Sequence, residues 1–167
     1  MKTETLSAPT FRSGHHHQIM DEKLHDPIHD LGNMSGPALC SNCGCVHKDG
    51  RWQWIPSPSD AHLTRCPACK RVHQKLPAGY VTISGQFAHE HRDEMLSLIH
   101  HLETREKAAH PLKRIMWIEY HEEGVTVATT DIHLAQSIGE ALHRAYKGEL
   151  DYQFNEGEYL LRLQYAR

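Results

Sequence analysis

The hydrophobic pattern in the second half of the chain predicts regular secondary structure. Residues 80–84 are rich in β-forming side chains and stop at a glycine, as a strand does. Residues 89–109 carry apolar side chains at helical spacing among charged ones and end before a proline. The predicted elements are, in order, a strand at 80–84, a helix at 89–109, strands at 114–121 and 125–129, a helix that begins at Thr130 or Asp131 and is closed by Gly148, and strands at 151–154 and 159–165.

One of the predicted strands, the first of the hairpin, has apolar side chains in both alternating sets. Regular alternation assigns Met116, Ile118 and Tyr120 to one face of this strand. It assigns Ile115 and Trp117 to the other face.

The order of these elements predicts the fold class. Strand, helix, strand, strand, helix and strand match the split β-α-β arrangement of ferredoxin-like domains, in which an antiparallel sheet carries two helices on one face. We therefore predict an α+β protein in which residues 80–167 form a ferredoxin-like domain. This scaffold supports many functions, so the fold alone does not indicate the activity.

The first half of the chain lacks such periodicity. Residues 1–38 are polar and interrupted by proline and glycine, and we predict that they form a flexible tail. Residues 39–79 contain two Cys-x-x-Cys pairs that flank a short predicted strand at 51–55 and a Pro- and Ser-rich loop at 56–60. This order of pair, strand, loop and pair predicts a zinc ribbon.

Four cysteines provide the most specific chemical pattern in the chain. Cys40 and Cys43 form one pair, Cys66 and Cys69 form the other, and 22 residues separate the pairs. Two residues between thiols let both sulfurs face one ion, so the pairs predict a closed tetrahedral site for one structural Zn²⁺. Disulfides and a redox motif are the alternatives, although a redox motif does not need a second pair. Cys45 is left over, either as a free thiol beside the site or as a substitute for Cys43.

The charge of the cysteine-containing segment differs from that of the rest. Residues 40–79 carry six basic and two acidic residues, a net charge of +4 in a chain of net charge −3. This asymmetry predicts an RNA contact in this segment. Trp52 and Trp54 either cover the metal site as a small core or stack on unpaired bases. The candidate RNA-contact residues are Lys48, Arg51, Trp52, Trp54, Arg65, Lys70, Arg71, Lys75, Lys113 and Arg114.

Other sequence features narrow the class of protein. No apolar run reaches the roughly 18 residues of a membrane-spanning helix, and the first ten residues do not resemble a signal peptide. The odd number of cysteines also argues against an oxidising compartment, so we expect a cytoplasmic protein without a membrane partner.

We expect neither enzymatic activity nor a small-molecule substrate. Residues 129–133 include Thr, Asp and His, but their position at a predicted helix start favours capping over a catalytic or partner-facing cluster. The sequence contains no Gly-rich phosphate loop, no nucleophile elbow and no His-Glu-x-x-His motif.

Several stretches between residues 40 and 167 resemble a group of small bacterial zinc-ribbon proteins. That group is distantly similar to the adaptor family for nuclear export of the large ribosomal subunit, the nonsense-mediated decay protein three family. The resemblance implies zinc ligation by the four paired cysteines and association with the ribosome. The stretches that carry it are Cys66–Arg71, Leu76–Val81, Gly85, His110–Ile115, Thr129–Ala135 and Ala145–Gly148.

Two functional hypotheses follow. The first is a structural-zinc protein that binds RNA or the ribosome, with the large subunit as the expected site, and that acts in stress, hibernation or assembly. The second is a protein–protein interaction adaptor or regulator in which the zinc is purely structural. The acidic remainder of the chain, with a net charge of −7, favours the second hypothesis mildly.

Overall fold

The computed structural model describes residues 26–28 and 34–167. Most of the predicted tail, at 1–25 and 29–33, lies outside the described residues. The described part of the chain is a mixed α+β structure with two sheets and four α-helices.

A small four-stranded sheet surrounds the cysteine pairs. Its strands are β1 (Ala38–Cys40), β2 (Val46–Lys48), β3 (Arg51–Gln53) and β4 (His62–Thr64), and it is followed by helix α1 (Pro67–Gln74). The strand order is β3-β2-β1-β4, in which β4 runs parallel to β1 and the other pairs are antiparallel. Asp49 and Gly50 join β2 to β3 with φ angles of 53° and 81°, as the two-residue type I′ turn requires. We call residues 34–77 the cysteine unit.

A larger five-stranded sheet with helices forms the remainder, residues 78–167, which we call the sheet unit. Its strands are β5 (Gly79–Ser84), β6 (Ile115–His121), β7 (Gly124–Thr129), β8 (Glu149–Asn155) and β9 (Leu160–Ala166). Its helices are α2 (Gln86–Glu90), α3 (Arg92–Ala109) and α4 (Ile132–Tyr146), and a short 3₁₀ turn spans Glu156–Glu158. These elements confirm the type and order of the elements predicted for this half, with the predicted first helix divided into α2 and α3.

The five-stranded sheet is mixed, so the prediction of an antiparallel sheet was wrong. Its strand order is β6-β7-β5-β9-β8, and β5 runs antiparallel to β7 but parallel to β9. The hairpin of β8 and β9 places its second strand in the interior of the sheet. That strand presents Leu161, Leu163 and Tyr165, each at most 1% exposed, to the core. Burying this apolar row accounts for the central position of β9.

A β-bulge changes which side chains of β6 face the core. The register of β6 against β7 shifts between Ile115 and Trp117. Because a bulge adds one residue on one strand, the alternation of faces reverses there. Ile115 and Ile118 therefore both pack against the core, whereas Trp117 lies beside Tyr80 with ring centroids 6.4 Å apart. The predicted assignment of Ile115 and Trp117 to the same face was wrong.

The two units have separate hydrophobic clusters. The larger cluster lies between the sheet and helices α3 and α4, and includes Met95, Ile99, Ile138 and Leu142. The smaller one lies in the cysteine unit around Trp52. Within the part of the chain that the structure describes, none of the helices has the length and apolarity needed to cross a membrane.

Candidate metal centre

The four paired cysteines converge on one point. The Sγ atoms of Cys40, Cys43, Cys66 and Cys69 all lie within 4.8 Å of one another. The Sγ atoms of Cys43 and Cys66 are 3.8 Å apart. A tetrahedral thiolate site with metal–sulfur bonds of about 2.3 Å has sulfur–sulfur edges of about 3.8 Å. The residues therefore fit a single metal ion, which they could hold with four sulfur ligands.

The first pair is placed by the end of β1 and a tight turn. Cys40 is the last residue of β1, and its backbone N–H donates to the carbonyl of Cys45 at 2.8 Å. The N–H of Gly44 donates to the carbonyl of Cys40 at 3.0 Å. Gly44 has φ of 80°, a left-handed conformation that favours glycine. This turn brings Cys43 back beside Cys40.

The second pair is placed by the start of helix α1. Cys66 is the N-cap of α1, and its Sγ accepts the backbone N–H of Cys69 at 3.4 Å. Pro67 follows at the first helical position, where a missing N–H costs nothing. The backbone N–H of Cys66 donates to the Sγ of Cys40 at 3.3 Å, which links the two pairs. The positive end of the helix dipole thus lies at the sulfur cluster.

Burial and hydrogen bonds shift the pKa values of the clustered thiols in different directions. Burial raises the pKa of Cys40, but backbone N–H groups, that of Cys66 foremost, outweigh burial and lower it to about 6. Burial raises the pKa of Cys43 to about 11 and also raises that of Cys69. The neighbouring Cys45 thiol and burial raise the pKa of Cys66. Four thiolates at this spacing therefore need a cation to balance them.

Arg114 places a positive charge directly on the cluster. Its guanidinium Nη2 donates to the Sγ of Cys43 at 3.0 Å, and its Nη1 donates to the Sγ of Cys69 at 3.3 Å. Although burial alone would lower the pKa of Arg114, its bonds to these two cysteines raise it. The residue immediately before β6 in the sheet unit thus touches the candidate metal centre in the cysteine unit.

Cys45 lies beside the four clustered sulfurs without being one of them. Its Sγ is 3.3 Å from that of Cys43, and the residue is fully buried. It is not one of the four cysteines whose sulfurs are mutually close, and none of the five cysteines forms a disulfide.

Five of the candidate RNA-contact residues lie at the surface of the cysteine unit. Lys48, Arg51 and Lys75 are exposed, and Arg65 and Lys70 are half-buried. They carry positive charge on several elements of the unit rather than on a single one.

The two tryptophans have different environments. Trp52 is 6% exposed and belongs to the core of the cysteine unit, which is the first of the two alternatives considered for it. Trp54 is 40% exposed, and its Nε1 donates to the carbonyl of Lys107 at 2.7 Å. Only the second ring therefore remains accessible at the surface.

The other three candidate cations interact within the protein. Arg71 is 3% exposed and pairs with the Asp26 carboxylate at 2.5 Å. Lys113 pairs with the Glu106 carboxylate at 2.8 Å, and Arg114 contacts the cysteine sulfurs.

Sequence reasoning missed several features of the site. It did not predict β1, β2, β4 or α1, although Asp49-Gly50 is a hairpin pattern and Cys66-Pro67 is a helix-start pattern. It also missed the contact of Arg114 with the cysteines, for which the sequence contains no local signal.

Comparisons of the chain with family models, with curated proteins and with solved structures found no match.

Proposed function

We propose that this chain is a structural-zinc protein that binds RNA on the large ribosomal subunit through its cysteine unit. The cysteine unit would be a zinc ribbon, and the sheet unit a ferredoxin-like domain extended by the inserted strand β9. The observation that carries the RNA-binding part of the proposal is a pair of exposed cations held opposite each other at the end of the β2–β3 hairpin.

Zinc is the metal that best suits the donor set. Four thiolates favour soft or borderline metals, and a site with four sulfurs leaves no open position for water or substrate. The role of such an ion is to hold β1, the Gly44 turn and the start of α1 together. This structural role does not require redox chemistry or an exchangeable ligand.

The opposed cations are Lys48 on β2 and Arg51 on β3. They are direct cross-strand partners, and both side chains are exposed. Like charges directly opposite each other destabilise a hairpin, and Asp49 in the turn offsets only one of the two. A phosphate backbone bound at this end would replace that repulsion with attraction.

Further groups extend this positive surface. Arg65, Lys70 and Lys75 lie on the same unit and have no close acidic partner among the described ion pairs. The half-exposed ring of Trp54 offers a flat aromatic surface on which an unpaired base could stack.

The proposal is tested with purified ribosomal subunits and the full-length protein in co-sedimentation assays over a series of salt concentrations. The variant is the double substitution Lys48→Gln with Arg51→Gln, which removes both charges without reversing them. The matched control is Arg105→Gln with Arg144→Gln, which removes two exposed charges from helices α3 and α4.

We expect the cysteine-unit variant to bind more weakly and to lower the slope of log affinity against log salt by about 1.5, since each lost phosphate contact contributes roughly 0.7 to 0.9. The control should retain the wild-type slope. Equal slopes for wild type and both variants would contradict RNA binding at the β2–β3 hairpin.

One observation favours a second function, that of a protein-interaction adaptor. Leu63, Leu76 and Val72 in the cysteine unit are 71%, 50% and 47% exposed. Exposed apolar side chains of this kind are common at protein interfaces when they form a continuous patch. Partner capture that resists ribonuclease, is lost in Leu63→Ser and is unaffected by the double cation variant would support this function over RNA binding.

A further inference from the structure

Arg114 connects the two units at the candidate metal centre. Its two terminal nitrogens reach one cysteine of each Cys-x-x-Cys pair, at 3.0 Å from Cys43 Sγ and 3.3 Å from Cys69 Sγ. Nη2 also lies 3.8 Å from Cys66 Sγ. A planar guanidinium that reaches two sulfurs at once forms a forked contact, which a lysine ammonium cannot reproduce.

The sheet unit holds Arg114 in position independently of the sulfurs. Its Nε donates to the carbonyl of Pro111 at 2.8 Å, and its backbone N–H donates to Thr130 Oγ1 at 2.9 Å. Thr130 is 5% exposed, and its hydroxyl donates to the carbonyl of Leu112 at 2.6 Å. The side chain is therefore directed at the cluster by the segment that leads into β6.

Other contacts also join the two units. Leu112 packs against the core of the cysteine unit, and Trp54 donates its Nε1 hydrogen to the carbonyl of Lys107 at the end of α3. The guanidinium carbon of Arg71 lies 5.8 Å from the ring centroid of Tyr159. Arg114 is therefore one of several contacts that join the two units.

We propose that Arg114 is a positioning residue of the metal centre, and that it couples metal binding to the docking of the cysteine unit on the sheet unit. Four thiolates and one divalent ion carry a net charge of −2, and Arg114 halves this charge through charge-assisted hydrogen bonds. The inference rests on the metal centre of the proposed function. Coupling is reciprocal, so docking strengthens metal binding by the factor with which the metal strengthens docking.

The contact also removes Arg114 from the surface available to RNA. Its guanidinium bonds to sulfur and to a backbone carbonyl, and Trp54 lies beside it with the ring centroid 6.0 Å from the guanidinium carbon. We therefore expect substitution of Arg114 to affect metal retention before it affects the affinity for RNA.

The test uses the full-length zinc-loaded protein, the variant Arg114→Gln, the charge-retaining variant Arg114→Lys, and the control Arg105→Gln on the exposed face of α3. The first measurement is the rate at which zinc is released to an excess of chelator. The second is hydrogen–deuterium exchange of residues 107–116 with and without metal. Far-UV circular dichroism checks that each variant remains folded.

We expect Arg114→Gln to release zinc about tenfold faster than wild type, since residues that bond to metal ligands typically contribute a factor of this size or more. Arg114→Lys should lie between the two, and Arg105→Gln should match wild type. Removing the metal should raise exchange at 107–116 in wild type and change it little in Arg114→Gln, because the coupling is already absent. Substituting a residue with a merely structural role would leave this metal dependence of the exchange unchanged.

Two results would overturn the inference. One is a zinc-release rate in Arg114→Gln equal to that of wild type; the other is exchange at 107–116 that does not respond to metal in wild type. If Arg114→Gln does not fold, Arg114→Lys decides by the same two readouts.

Cobalt substitution distinguishes a wrong role for Arg114 from the absence of the metal centre itself. A wild-type protein without thiolate-to-cobalt absorption would refute the centre and the inference together, whereas a normal cobalt spectrum would confine the failure to Arg114.

Discussion

The cysteine unit and the sheet unit bury very different side chains. In the cysteine unit, the buried cluster consists of Ala38, Cys40, Cys45, Trp52, Cys66, Ala68 and Cys69, so that cysteines outnumber all other residues in it. The buried cluster of the sheet unit contains apolar side chains from four strands and three helices, and the described residues in it include no cysteine. Trp52 is the one large apolar side chain among the buried members of the first cluster, whereas the second cluster has many.

This difference indicates that the two units are stabilised by different interactions. A segment of about 40 residues rarely buries enough apolar surface to fold without a metal, disulfides or a partner. The sheet unit has a continuous core that can compensate for the loss of chain entropy. We therefore expect the cysteine unit to depend on its metal, and the sheet unit to depend on packing.

The largest expected effect follows from removing one of the four candidate ligands. Cys66→Ser should abolish metal binding and unfold the cysteine unit while the sheet unit remains folded, because structural zinc contributes about 10–16 kcal/mol in small domains. Metal content per chain and the amide resonances of the two units in an NMR spectrum measure this. Cys45→Ala, which changes a cysteine outside the group of four, should retain one metal per chain. Dispersed resonances for residues 38–70 in Cys66→Ser would show that packing alone folds this unit.

A cavity in the larger core should destabilise the sheet unit and leave the metal centre unchanged. Ile99 in α3 is fully buried within that core, and Ile99→Ala should lower the free energy of unfolding of the sheet unit by about 2–5 kcal/mol. Denaturant titration measures the loss, and the cobalt spectrum of the variant should equal that of wild type. Leu98→Ala, at a partly buried neighbour, should cost less. An altered cobalt spectrum in Ile99→Ala would show that the two units do not have separate sources of stability.

A smaller effect is expected at the start of α4. The Asp131 carboxylate accepts the backbone N–H of Leu134 at 2.8 Å and caps the helix. Asp131→Ala should lower the free energy of unfolding by about 1 kcal/mol, whereas Asp131→Asn should retain most of the stability because asparagine caps equally well. Thermal unfolding of the two variants measures the difference. Equal losses in both would indicate that the charge of Asp131, rather than the capping bond, is responsible.

The smallest effect concerns the ion pair of Glu106 and Lys113, at 2.8 Å. The hydrogen bond from Lys113 lowers the pKa of Glu106, so the pair stabilises the fold above the ordinary glutamate pKa of about 4.3 and loses that effect as the pH falls through the lower, folded-state value. Glu106→Gln should therefore cost less than about 1 kcal/mol at neutral pH and nothing in strong acid. Urea unfolding of wild type and variant at both pH values measures this. A cost that does not change with pH would exclude the charge as its origin.

Local sequence patterns were sufficient for most of the sheet unit and for the four clustered cysteines. Hydrophobic periods and helix caps depend on neighbouring residues only, and they were sufficient for strands β5, β7 and β9 and helix α4. Two Cys-x-x-Cys pairs bring four sulfurs together once their turns have formed. Such features need no knowledge of the remote parts of the chain.

Three features could not be predicted in this way: the position of β9 beside β5, the bulge in β6 and the contact of Arg114 with the cysteines. Each depends on residues that are far apart in sequence and meet only when the whole chain has packed; Arg114 is 45 residues from Cys69. Composition alone would place the charged side chain of Arg114 at the protein surface. In the folded chain, the segment that leads into β6 brings its guanidinium against the cysteine sulfurs, where a cation offsets the cost of burying several thiolates.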